Sequence, residues 1–151
     1  MHSIAVSLHP SIAEDAENLA SIRVIAMRDS LEHVGRFDAD RARQRFLSTF
    51  VPEFTRHIVT EEGRVGFVVV REQENELLLD HLYIHPDHQG KSIGATVLDF
   101  IFVEADEMKI NLRVGALRGS KSNEFYLRHG FRLVQQAEWD NYYVRPPKSA
   151  A

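Results

Sequence analysis

Between Leu77 and Ala95 the chain reads LLLDHLYIHPDHQGKSIGA. An apolar strand stops at Pro86, a short polar turn follows, and Gln89-Gly90-Lys91-Ser92-Ile93-Gly94-Ala95 opens an amphipathic helix. The first N–H groups of a helix have no intrahelical partner and carry the positive end of its dipole. A strand feeding a glycine-punctuated turn and a helix start is therefore an arrangement that holds phosphate. Gly90 and Gly94 let backbone approach a ligand where a Cβ would clash. The pattern points to a ligand that ends in phosphates, with the adjoining strand placed to hold the remainder.

The flanking elements follow from periodicity. Residues 3–8 alternate weakly through Ile4, Val6 and Leu8 and predict an edge strand. A helix follows, with Ile12, Ala16, Leu19, Ile22 and Ala26 on one face; Ser11 is its expected N-cap, with Glu14 completing a capping box. Gly35 ends that pattern, and a second helix over 39–50 turns Ala42, Phe46, Leu47 and Phe50 inward before Pro52. From residue 55 the period becomes that of strands: 56–60, a turn at Glu61-Glu62-Gly63, 65–71, a turn at Gln73-Glu74-Asn75, then 76–85. These three strands form an antiparallel meander. The helix after Gln89 directs Ile93, Val97, Ile101, Phe102, Ala105 and Met108 to the core, and Leu112 to Leu117 returns as a parallel strand. Ser120 is the expected cap of a short helix, 121–129, ended by Gly130. Strands 131–135 and 139–144 close the chain as a hairpin, and the tail from Pro146 to Ala151 is expected to fray.

The chain has 151 residues, room for one domain with a real core, and we expect 1–151 to form a single domain. A net charge of -4 argues against a general nucleic-acid or membrane-surface binder; the Arg41–Arg45 run reads as a solvated helix face. The absence of cysteine excludes disulfides, thiolate metal sites and a cysteine nucleophile. No secretory signal or membrane-spanning run is evident, so a soluble, cytoplasmic protein is expected. His81, His85 and His88 have a spacing that raises metal ligation. His85 precedes a proline in a turn, however, and we read it and His88 as solvated loop residues and assign no metal site. Trp139, Tyr142 and Tyr143 could line a pocket, but at least two of them read as core and cross-strand residues.

In order, a strand ending LYIHP, then Q-G-K-S-I-G-A, then a strand, then SKSNEFYLRHGF resembles the acetyl-CoA-dependent N-acetyltransferases of the GCN5-related (GNAT) superfamily. That family carries Gln/Arg-x-x-Gly-x-Gly/Ala at a helix start and Tyr-x-x-x-Gly-Phe downstream. The resemblance covers residues 60–135 and extends to the N-terminal helical pair. It implies an α/β (mixed α+β) fold with a mostly antiparallel central sheet of about seven strands and about four flanking helices. It further implies acetyl-CoA as cosubstrate and a small-molecule or peptide amine as acceptor. A homodimer is common in the family. Coenzyme pyrophosphate would sit on the backbone amides of Gln89, Gly90, Lys91, Ser92, Ile93, Gly94 and Ala95. The pantetheine arm would pair with Leu82, Tyr83 and Ile84, where family structures splay the two central parallel strands. A backbone N–H there would meet the thioester oxygen.

Tyr126, by the same resemblance, is the expected general acid: a phenol stays protonated at neutral pH and can hand a proton to the departing sulfur. As a plain helix residue its ring would simply sit in the core. Asp80 and His81 are the candidate bases for the attacking amine, on opposite faces of their strand; the resemblance, whose members often use a carboxylate near Asp80, makes Asp80 the expected base, and Glu76 is a poorer one. Asp80 reads equally as a structural hydrogen-bonding carboxylate. Arg28, Glu32, His33, Arg36 and Phe37 lie where relatives shape the acceptor site, or else form a solvated helix end. The chain departs from the pattern at three points. Ser92 replaces the middle glycine; it can donate to phosphate, or weaken binding where the position demands a glycine-only conformation. Ser120 and Ser122 stand where relatives carry Asn and Ala, so Ser120 would have to supply the missing coenzyme contact. Asn123 is nearby but out of that register. The expected activity is direct acetyl transfer in a ternary complex; the rivals are a non-catalytic acetyl-CoA sensor and a histidine-based metal protein.

Overall fold

Seven strands form one mixed sheet in the order β1-β2-β3-β4-β5-β7-β6 in a computed structural model that describes residues 4–148. They are β1 (Ser7–Pro10), β2 (Thr55–Thr60), β3 (Gly63–Gln73), β4 (Glu76–Ile84), β5 (Asn111–Leu117), β6 (Arg132–Gln136) and β7 (Asp140–Arg145). Four α-helices accompany them: α1 (Ala16–His33), α2 (Ala39–Thr49), α3 (Ile93–Met108) and α4 (Ser122–Arg128). This is the expected α/β architecture. β2, β3 and β4 are the meander, and β5 joins β4 in parallel register. No helix among the described residues is long and apolar enough to cross a membrane.

The chain divides into two compact units. One takes in the described residues up to Val69 together with His81–Val97. Its core is Leu19 and Ala20 of α1, Phe46 of α2, and Phe67 and Val69 of β3, with Ile22, Leu47, Phe50 and Tyr83 packed on it. The other contains Val70–Asp80 and the described residues from Leu98 on. It buries Leu77, Leu79, Leu98, Ile101, Ala105, Leu112, Val114, Ala116, Tyr126, Phe131 and Tyr143. Arg145 is buried there too, paired with Asp106 at 2.9 and 3.2 Å and lying 4.0 Å over the Phe102 ring.

Several boundaries differ from expectation for local reasons. The edge strand is Ser7–Pro10 rather than 3–8, paired with Arg56–Val59 of β2; Ser3 lies outside the described residues, as do Ser149–Ala151 of the tail. Ser11 does not cap a helix: its hydroxyl donates to Thr55 O at 2.7 Å and Pro52 O at 3.1 Å. Asp15, not Glu14, accepts the N–H of Ile12 at 2.9 Å, and α1 starts only at Ala16, so Ile12 stays exposed. Met108 at the end of α3 is also exposed, and Leu98 replaces it in the core. α2 starts where expected and ends one residue early, at Thr49, with Asp38 accepting the N–H of Arg41 as its cap.

Candidate active site

The parallel register of β4 with β5 runs from Glu76↔Asn111 to Leu79↔Val114 and stops there, while β4 continues to Ile84. The continuing stretch contains Leu82, Tyr83 and Ile84, all half-buried. On its other side lies β3, which bulges: Ile58 pairs with Gly66 and Val59 with Arg64, leaving Val65 as the extra residue. Val65 O accepts the N–H of His85 at 2.8 Å and so anchors the end of the strand.

The turn after β4 is held by its own side chains. Pro86–His88 form a single 3₁₀ turn; His85 Nδ1 accepts the N–H of Asp87 at 3.1 Å, and Gln89 Nε2 donates back to Ile84 O at 2.9 Å. Gly90 has φ +79° and Ser92 φ +62°, both left-handed. Two such residues cannot enter a right-handed helix, so α3 begins at Ile93 rather than at Gln89. Ser92 O accepts the first helical hydrogen bond, from Thr96 N–H at 3.2 Å. The leading amides of Ile93, Gly94 and Ala95 therefore form the dipole-positive end of a sixteen-residue helix. Lys91 Nζ and His88 Nδ1 both approach Glu62 Oε2, at 3.8 and 2.9 Å.

The expected bases sit in different surroundings. Arg71 Nε donates to Asp80 Oδ2 at 2.8 Å, so that carboxylate has an ion-pair partner across β3 and β4. Glu76 approaches Arg113 at 3.9 Å. His81 belongs to an aromatic group with Phe46, Phe67 and Tyr83, at ring distances of 5.7, 6.3 and 5.5 Å. Its Nδ1 is 3.4 Å from Tyr83 Oη, which in turn donates to Met27 Sδ at 3.1 Å. Among the described residues no three metal-ligating side chains converge.

Tyr126 is buried on α4, its ring among Phe125, Phe131 and Tyr143 at 5.4, 5.3 and 6.3 Å. Ser120 does not cap α4, whose N-cap is Lys121 with no side-chain hydrogen bond. Asn123 is the polar centre there instead: its Nδ2 donates to Leu117 O and Ser120 O, and Ser122 is exposed. Tyr143 is buried and Tyr142 covers Gly115 of β5, where a Cβ would stand 3.2 Å from Tyr142 Cε1, whereas Trp139 is exposed. At the end of α1, Arg28 pairs with Glu32 at 2.9 Å in solvent and lies 5.6 Å over the Phe37 ring. Arg71 and Glu62 act as partners that no sequence motif marks. The visible signal for each was only an opposite charge on a neighbouring strand or turn.

A family model described as an acetyltransferase (GNAT) domain matches residues 53–133. No curated protein sequence matches the chain. Among solved structures the chain resembles the PaiA N-acetyltransferase of Thermoplasma acidophilum in complex with coenzyme A, at TM-score 0.78 and 16% identity over 94% of this chain and 99% of that one. It resembles a GCN5-related N-acetyltransferase from Rhodopseudomonas palustris at TM-score 0.76 and 23% identity, covering 97% and 98% of the two chains. It also resembles the ribosomal-protein-S18-alanine N-acetyltransferase of Escherichia coli at TM-score 0.72 and 14% identity, covering 97% of each. At these identities the likeness is one of fold.

Proposed function

The chain belongs to the acetyltransferase (GNAT) domain family, and on that premise we propose that it moves an acetyl group from acetyl-CoA to a primary amine by direct attack. The observation that carries this reading is the β4 register: pairing with β5 stops at Leu79 while the strand continues to Ile84. A pantetheine arm, which carries amides of its own, can pair with Leu82, Tyr83 and Ile84 as an added strand. The diphosphate then falls on the turn and helix start from Gln89 to Ala95, where backbone amides and the dipole favour anions.

In this reading a main-chain N–H between Leu82 and Ile84 stabilises charge on the thioester oxygen, and Tyr126 gives a proton to the departing sulfur. The attacking nitrogen loses its proton to a group on β4. Arg71's hold on Asp80 favours His81 over Asp80 for that task. Positioning the two substrates supplies most of the acceleration, and no covalent enzyme intermediate is needed.

The test is turnover of acetyl-CoA with a panel of small amines, amino acids, polyamines and peptide N-termini, read as free thiol. Amine-dependent thiol release with an acetylated product is the expected result. Coenzyme binding without turnover for any amine would make the chain a sensor of acetyl-CoA instead.

A further inference from the structure

α4 spans only seven residues, too few to hold their own helical shape in water. What holds the start of α4 is Asn123, three residues before Tyr126. Its Nδ2 donates to Leu117 O at the end of β5 and to Ser120 O in the connecting loop, both at 2.9 Å. Its Oδ1 accepts from Asn141 Nδ2 at 2.9 Å and from Tyr143 Oη at 2.7 Å, both on β7. The amide's two donors and its acceptor are thus all engaged, and the first turn of α4 is tied to two strands. The Tyr143 ring neighbours that of Tyr126, tilted 46° with centroids 6.3 Å apart, and Tyr126 O accepts the N–H of Phe131 at 3.1 Å, closing the other end of the helix. Asn141 spends its amide on this centre while its own Oδ1 stays buried without a protein partner.

We infer that Asn123 is a positioning residue for Tyr126, fixing the phenol through the β5–α4 loop and Tyr143; this rests on the proposed role of Tyr126. Three residues out of the family register, its amide is spent wholly on protein groups, so it acts on the ring's place and not on coenzyme affinity.

The experiment compares Asn123→Ala, Tyr126→Phe and the double variant, using the amine that the panel identifies. Asn123→Ala should lower kcat by about tenfold to a hundredfold with coenzyme Kd changed less than about twofold. In the Tyr126→Phe background the same change should cost nothing further, because the group it positions is gone. Equal losses in both backgrounds, or a raised Kd with unchanged kcat, would overturn the inference. If Tyr126→Phe turns over like wild type, the Tyr126 reading falls and the inference with it. If Tyr126→Phe is slow and Asn123→Ala is not, the inference falls alone. Should Asn123→Ala fail to fold, Tyr143→Phe removes one hydroxyl, keeps the ring, and should show the same split. An activity-free readout is the ring resonance of Tyr126 in protein with 13C-labelled tyrosine, of which the chain has four. It should broaden or double in the Asn123 or Tyr143 variant, and an unchanged signal would count against the inference.

Discussion

The Cα of Gly66 lies against the carbonyl of Tyr83: a Cβ built there would stand 2.1 Å from Tyr83 O and 3.1 Å from Ile84 Cα. Both atoms it would strike are main chain, which cannot rotate away. Glycine at this point of β3 is thus what lets the two backbones meet beside the residues proposed to pair with pantetheine. Gly66→Ala should push β4 outward, at about 1–3 kcal/mol, the usual cost of overpacking. Urea unfolding checks the stability, and calorimetric titration with coenzyme A checks the strand: affinity should fall. Unchanged affinity would separate this contact from the coenzyme site.

Ser92 occupies a left-handed conformation at φ +62°. The sequence raised this position as one where the family's glycine would matter, and the backbone gives the reason. Holding a non-glycine residue there costs about 1–2 kcal/mol. Ser92→Gly should therefore raise stability, by about 1 kcal/mol once the added freedom of the unfolded chain is counted. Coenzyme affinity should be equal or higher, since the turn is relieved and not rebuilt. A lower melting temperature would mean that the serine hydroxyl contributes more than its backbone costs.

The meander, the parallel return of β5 and the inward placing of Ile93, Val97, Ile101 and Ala105 on α3 were legible, because each rests on a local period that one buried face enforces. The start of α3 was not: the family's glycine marked position 92, but the serine itself does not announce that the left-handed turn persists and delays the helix to Ile93. Glu14 and Asp15 are adjacent acids, and only the late onset of α1 decides which one reaches Ile12. Gly66 did carry a signal, an isolated glycine inside a strand, but not the identity of what approaches it. Asn123 was visible as a residue and invisible as a centre, because Asn141 and Tyr143 reach it only after β6 and β7 have returned.

Asp80 and Arg71 offer a direct test of which group accepts the proton. With Arg71 Nε 2.8 Å from its Oδ2, Asp80 is engaged before any substrate arrives. Asp80→Asn should keep turnover within about threefold and lower stability by at most about 1 kcal/mol, as for partly exposed ion pairs. His81→Gln should lower turnover by about a hundredfold, the scale of general-base loss. Steady-state kinetics on the two variants decides: the reverse ranking would return the base to Asp80.

Asp106 ties stability to pH. Its carboxylate accepts from both terminal nitrogens of Arg145 and from Lys148 N–H at 2.9 Å, and the Arg145 guanidinium first of all holds its pKa below the usual carboxylate value. A folded-state pKa below the unfolded one means that the unfolded chain binds the proton more readily. The contribution is therefore complete above the ordinary carboxylate pKa of about 3.9, and is lost as pH falls from there through the folded value. Asp106→Asn removes the charge and leaves the buried Arg145 unbalanced, at roughly 3 kcal/mol. In urea unfolding the variant should be weaker than wild type at neutral pH. Below pH of about 4 the gap should narrow, because acid weakens only the chain that still carries the carboxylate. A constant gap down to the acid transition would show that the pair contributes packing of the guanidinium on Phe102 rather than charge.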